Sequence, residues 1–592
     1  TMKRSYIYAS IFVVLFVAVL IVVVVCVTAQ NGWKKNDDDT GEPFWKTDVV
    51  YQVYPRSFAD SDGDGTGDLK GIASKADHLV ELGVGIVWLS PVYRSPMKDF
   101  GYDISNYTDI DPTFGTMEDF DYLLNELHNR GLKLVMDFVP NHSSNEHEWF
   151  IKSEAGDEKY ADYYVWANAT YNEGKQYPPN NWVSEFRDSA WEWSEKRQQY
   201  YYHEFLKEQP DLNYRNEDVR KDMEAVLKFW LDKGVDGFRV DALKYLFEVE
   251  DLSLDEPVNP DSGTTDPDDP AYLEHIYTTN LPGTFEVLGQ WRSLIDQYSD
   301  KVMMVEVYAD VDDVMKYYGN ESVPLADFPF NFFLLDNLQN RSLLTGNTLK
   351  DTISLWLDNM PEGKWANWVL GNHDNGRVSS RLGEDLVDAL NMVLLLLPGT
   401  PVTYYGEEIG MENTFISWED TKDPEGCRWG PDHYQEHSRD PERTPMQWNE
   451  EYMTGFTTGK DTWLPINPNY KEINVANQDA AEQSSLKVYK RLTQLRGEET
   501  FRHGALSYPT YDQYTFSFIR SLDGYPSYLL VINTAEEDRE VDLHKGANFP
   551  LPDDATVVLR SSTDNAEETA PGSVVSLTSL PLLSGEGLVL EL

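Results

Sequence analysis

The chain has 592 residues, 41% hydrophobic and 13% aromatic with 17 Trp and 35 Tyr, and a formal net charge of -52. That length exceeds one simple domain and allows a large core. So acidic a balance excludes a nucleic-acid partner, which needs a basic footprint, and a content of two cysteines, Cys26 and Cys427, excludes a disulfide-stapled scaffold.

Residues 7–29 form an almost wholly apolar run behind Lys3 and Arg4. The run is long enough to cross a bilayer as a helix, although Val27-Thr28-Ala29 resembles a cleavage site. It reads as an uncleaved signal anchor behind a cytoplasmic tail, 1–6. That makes a single-pass plasma-membrane protein with its bulk outside the cell, or a secreted one if the run is cut. Residues 30–45 are polar, with Asp37 to Asp39 together, and read as a stalk.

Strand and helix then alternate. The predicted strands are 49–54, 86–89, 132–139, one within 234–245, 302–306, 326–330, 368–371 and 402–405. Phe120, Leu123, Leu124 and Leu127 mark a helix over 117–130 with Thr116 as its cap. Val219, Met223, Val226, Leu227, Trp230 and Leu231 mark another over 217–233, closed by Gly234. Leu486, Tyr489, Leu492 and Leu495 mark a closing helix. Eight such units predict an α/β fold, a (β/α)8 barrel, over 46–140 and 214–497. The Trp-, Tyr- and Pro-rich stretch 141–213 is too long for a loop and predicts an inserted subdomain. Tyr514, Phe516 and Phe518 alternate with polar residues, and 528–532 is an apolar run, so 498–592 predicts an antiparallel β-sandwich domain.

Four strands end in polar clusters: Asp137, Asn141 and His142; Arg239 and Asp241; Glu306; His373 and Asp374. In an extended strand Arg239 and Asp241 face the same way. Converging carboxylates repel one another, so a fold that gathers them without a use loses stability. Separately, Asp60, Asp62, Asp64, Thr66 and Asp68 alternate with glycines, a pattern that lines a tight turn with oxygens for a hard cation. The twelfth position of that loop is Gly71, so it is no EF-hand. Sequons stand at Asn106, Asn168, Asn320 and Asn340, as expected of an exported glycoprotein.

DFVPNH, GFRVDALKY, VEVY and GNHDN resemble the four signature regions of glycoside hydrolase family 13, the α-amylase family. QPDLN resembles its fifth, in the α-glucosidase form, and YQVYPRSFADSDGDGTGDL, FGYDISNY, YYGEEIGM and SRDPERTPMQW extend the likeness to insect maltases and sucrases. The resemblance implies a retaining, exo-acting α-glucosidase of maltose, sucrose and short malto-oligosaccharides. Asp241 would be the nucleophile, Glu306 the acid and base, and Asp374 a binder of sugar hydroxyls. Arg239 would keep Asp241 ionised. His142 and His373 would bind hydroxyls, and Tyr102, Asp103 and Arg439 would clamp the terminal sugar, with Arg443 close enough to be confused with Arg439. Tyr245, Glu185 and Phe186 would line the leaving-group side, and Ala242 after the nucleophile goes with α-1,4 or sucrose cleavage. Related glucosidases hold structural Ca2+ at the acidic loop.

Two alternatives stay open. Transporter heavy chains share this barrel, but they tether their partner through a cysteine just outside the membrane, and 30–45 has none. A sucrose-converting transglucosylase would use the same intermediate, but the arginine-rich loop of sucrose isomerases is not evident. Either a monomer or a homodimer is expected.

Overall fold

Apolar spacing becomes two helices that carry their neighbouring strands into place. Helix α1, Met117–Asn129, starts in a reciprocal capping box between Thr116 and Asp119 and buries Phe120, Leu123, Leu124 and Leu127. Helix α2, Glu217–Lys233, buries the six apolar residues of its stripe. It stops at Gly234, whose φ of +104° only glycine adopts freely. The computed structural model describes residues 41–547, 549–562 and 567–592. The apolar run 7–29 lies outside them. Among the described residues no helix is long and apolar enough to cross a membrane.

Eight parallel strands follow in chain order: β1 Val50–Val53, β2 Ile86–Leu89, β3 Lys133–Phe138, β4 Gly237–Val240, β5 Val302–Val305, β6 Phe328–Pro329, β7 Asn367–Val369 and β8 Thr400–Tyr404. Their hydrogen-bonded order is β6-β5-β4-β3-β2-β1-β8-β7, all parallel. A side chain completes the circle. Asn367 of β7 donates to the Pro329 carbonyl of β6 at 2.6 Å and accepts from Asn331 N–H at 2.8 Å. The result is the (β/α)8 barrel, buried on both faces and therefore nearly continuous in apolar residues. Gln52, Asp137, Arg239, Asn367, Thr400 and Thr403 are the buried polar exceptions in its strands.

Several expected boundaries move. β4 ends at Val240. Asp241 stands just beyond it, Ala242 has a φ of +48°, and Leu243–Tyr245 is a 3-10 turn rather than strand. β6 is two residues, not five. Phe44–Thr47 is a helix whose Trp45 is buried in the barrel core, so the last residues of the expected stalk belong to the folded body.

The insertion 141–213 carries a helix, Glu148–Glu154, and a three-stranded antiparallel sheet of Trp166–Ala167, Gln199–Tyr202 and Trp191–Ser194. Its small core is Val165, Trp182, Trp191 and Tyr202. The C-terminal region holds a six-stranded antiparallel sheet and a two-stranded one, Arg539–Val541 with Leu580–Leu582. Phe516, Phe518 and Ile532 join the barrel core, while Ile519, Leu529 and Val531 face the second sheet. Tyr514 stays exposed outside the strand Thr515–Ser521.

Candidate active site

A cavity of about 300 Å3 opens where β4, β5 and β7 end. It is at the small end of ligand pockets, which run ~300–1,000 Å3. Asp241, Glu306 and Asp374 all line it. Arg239 on β4 is the hub. Its Nη1 meets Asp241 Oδ1 at 2.5 Å and Asp137 Oδ1 at 2.7 Å, and its Nη2 meets Glu306 Oε1 at 2.8 Å. The other oxygen of Glu306 accepts from Ala242 N–H at 2.9 Å. The turn at Ala242 thus aims a backbone donor at the neighbouring acid.

Three carboxylates share that one guanidinium, so its charge is divided among them. Burial pushes the Asp241 carboxyl well up; Arg239 opposes this, while Glu306, Asp137 and Asp374 add to it. Asp137 is pushed up to about 6, again by burial against Arg239. The expectation that Arg239 holds Asp241 ionised is therefore incomplete, because its charge is divided among three acids.

Asp374 behaves oppositely. Burial works against its charge, but the guanidiniums of Arg443 and Arg439 outweigh it and hold the carboxyl well below the ordinary range. Arg443 Nη2 donates to Asp374 Oδ1 at 2.8 Å and Arg439 Nη1 at 3.3 Å. Arg439 lines the cavity, whereas Arg443 is buried beneath it and bonds the His373 carbonyl.

His373 is kept neutral by burial. Gln52 Nε2 contacts its Nδ1 at 2.8 Å, and its Nε2 contacts the Tyr102 hydroxyl at 2.6 Å. That hydroxyl donates on to Asp137 Oδ2 at 3.2 Å. A continuous polar chain therefore runs from β1 to the Arg239 hub. His142, lowered by burial to about 4, contacts Gln209 Nε2 at 3.1 Å and the Tyr102 carbonyl at 3.2 Å.

One predicted residue is misplaced. Asp103 is fully buried and faces its own loop, accepting from Ser95 Oγ, Lys98 N–H and Asp99 N–H. The acid in the cavity is Asp99, which meets Arg439 Nη2 at 3.2 Å. Both belong to the same loop, and its shape decides which carboxylate turns inward. Asp423 clamps Arg439 from behind at 2.6 Å. The insertion contributes Glu185, Phe186 and Phe205 to the wall, with Glu185 accepting from the Tyr245 hydroxyl at 2.9 Å. Glu425 also lines the wall, pushed up to about 8 by burial despite Arg439 nearby. No sequence signal marked Asp99, Phe205, Asp423 or Glu425.

In the acidic loop, ligand oxygens of Asp60, Asp62 and Asp68 lie within 4.8 Å of one another, while Asp64 is outside that group. Asp60 accepts from Asp62, Gly63 and Gly65 N–H and from Thr457 Oγ1, which occupies its lone pairs. Asp68 accepts from Ser61 N–H and Oγ and from Gly71 N–H, which leaves it one lone pair, while Asp62 accepts only from Asp64 N–H, so the two can still offer oxygens to a hard cation with Asp60 shaping the loop. Of the sequons, Asn168, Asn320 and Asn340 are exposed and Asn106 is half-buried.

Residues 52–504 match the family model described as alpha amylase, catalytic domain. "Maltase 1" of Drosophila virilis is 47% identical over 95% of this chain and 89% of its own length. "Amino acid transporter heavy chain SLC3A1" of Homo sapiens is 40% identical over 93% of this chain and 78% of its own. Among solved structures, the α-glucosyl transfer enzyme XgtA superposes with a TM-score of 0.82 at 32% identity, covering 93% of this chain and 99% of that one.

Proposed function

The chain belongs to the α-amylase family, and we propose that it is a retaining, exo-acting α-glucosidase that hydrolyses terminal α-glucosidic bonds of small sugars such as maltose and sucrose. The observation that carries this reading is the single guanidinium of Arg239, with Asp241 on one nitrogen and Glu306 on the next, beside Asp374 in one cavity. Two acids so close suit a covalent route, for which the carboxyls stand ~5–5.5 Å apart, rather than direct attack by water across ~6.5–9.5 Å.

Asp241 attacks the anomeric carbon while Glu306 protonates the departing oxygen. Glu306 then takes a proton from water, which releases glucose and restores Asp241. Asp374, held ionised by its arginines, binds hydroxyls of the sugar as charge develops on the ring. The Asp99–Arg439 pair closes one end of the cavity, so only a terminal sugar fits. Ca2+ on Asp62 and Asp68, with Asp60 shaping the loop, is assigned a structural role. Residues 7–29 anchor the chain in the plasma membrane with the barrel outside the cell, where the exposed sequons would carry glycans.

The test is glucose release from maltose, sucrose, isomaltose and trehalose in parallel, with Asp241→Asn as control. Maltose and sucrose should be cleaved, and the substitution should cost on the order of 10^4-fold or more in kcat. Equal activity in the variant would reject the nucleophile. No release by the unaltered protein would favour a transporter heavy-chain role instead.

A further inference from the structure

Two consecutive non-glycine residues, Arg187 and Asp188, hold left-handed backbone, with φ of +77° and +67°. Single residues visit this region, runs of two rarely do, and they persist only where the surroundings over-determine them. Here two other segments close on them. Arg428, in the short helix Pro424–Trp429 after β8, donates from Nη2 to the Arg187 carbonyl at 2.6 Å and to Asp188 Oδ2 at 2.8 Å. The long loop after β4 supplies Asp266, which accepts from Arg187 at 2.7 Å, and the Asp268 carbonyl, which accepts from Asp188 N–H at 2.9 Å. The Arg187 guanidinium lies 4.4 Å above Trp429, which stacks flat on His437 at 3.7 Å.

Two of the three segments of this clasp adjoin a cavity wall. Glu185 and Phe186 immediately precede Arg187, and Glu425 shares the short helix with Arg428. Arg439 follows His437 closely in sequence, and its guanidinium sits 4.9 Å over the Phe186 ring. The clasp faces solvent, with the Asp188 side chain 55% exposed. It therefore binds the two walls together from outside.

Resting on the α-glucosidase reading, we propose that Arg187 and Arg428 are positioning residues that hold the Glu185–Phe186 wall against the Glu425–Arg439 wall and so limit the length of leaving group the enzyme accepts. Glu185 is tied to Tyr245, close after the nucleophile, so this wall meets the first sugar of the leaving group. Further sugars must pass over the clasp. While three segments hold it, the wall cannot swing outward.

The experiment measures kcat and KM for 4-nitrophenyl α-glucoside, maltose and maltotetraose in the intact chain, in Arg428→Ala and in Asp188→Asn. Arg428→Ala should raise KM for maltose about 5-fold with kcat changed less than about 2-fold, and raise the maltotetraose-to-maltose ratio of kcat/KM about 3-fold. Asp188→Asn, which removes one charge with little change of shape, should shift the ratio in the same direction by less, and it decides the matter should Arg428→Ala fail to fold. An unchanged ratio, or an equal loss on all three substrates, overturns the clasp. Failure of the unaltered protein on all three would overturn the glucosidase reading instead.

Discussion

Asp137 does not line the cavity, yet it shares Arg239 with both proposed catalytic carboxylates. It also ends the polar chain from His373 through Tyr102. Its negative charge raises Asp241 and draws away part of Arg239. Asp137→Asn removes both effects, and both act in the same direction: the pKa of Asp241 must fall. The acid limb of the kcat/KM profile, set by ionisation of the nucleophile, should then move to lower pH. Glucose release from pH 3 to 8 checks it, and a limb that stays or moves upward would break the link to Arg239. At this scale Asp241, Glu306 and Asp374 are legible in sequence because each follows a strand end, where barrel chemistry gathers. Asp103 misleads because Asp99 lies in the same loop and both are buried. Inward direction is a property of the loop's three-dimensional path, which spacing does not encode.

Among the elements, α1 is legible from its Thr116 cap and apolar stripe, and α2 from its stripe and closing Gly234. β6 is not. The run 326–330 is apolar enough for a longer strand, but only Phe328 and Pro329 pair, and proline lacks the N–H that a ladder needs. The β6–β7 gap passes instead to Asn367, which is fully buried. Its amide replaces a missing backbone pairing by bonding Pro329 O and Asn331 N–H. Asn367→Ala would leave both groups buried without partners, at a cost of about 2–5 kcal/mol. Thermal melting should drop by several °C, with the loss of activity following the loss of folded protein. Unchanged melting would mean that water or a shift of β6 repairs the seam.

The largest scale joins the acidic loop to the rest of the molecule. Asp60 N–H bonds the Phe456 carbonyl, Asp60 Oδ2 accepts from Thr457, and Trp463 N–H bonds the Gly65 carbonyl. The loop after β1 therefore pins the segment that follows β8, next to the seam where β1 pairs with β8. Barrel and C-terminal sheet share one core, so slack in that pin is felt throughout the body. The chain already carries a net charge of -52, and neighbouring Asp64, Asp60 and Asp68 add to burial in raising Asp62. A bound divalent cation would cancel that local repulsion, and at 100-fold above its Kd it would stabilise the folded state by about 2.7 kcal/mol. EDTA should therefore lower the melting temperature by a few °C, and calcium should restore it. Magnesium should restore less, because it demands a strict octahedron and gives up its waters reluctantly, whereas calcium accepts an irregular set of oxygens. Potassium chloride at matched ionic strength separates site binding from screening, since screening alone would help without regard to the ion. Asp62→Asn together with Asp68→Asn should make melting indifferent to EDTA. If the unaltered protein is already indifferent, the loop is held by its own hydrogen bonds and calcium has no part in the fold.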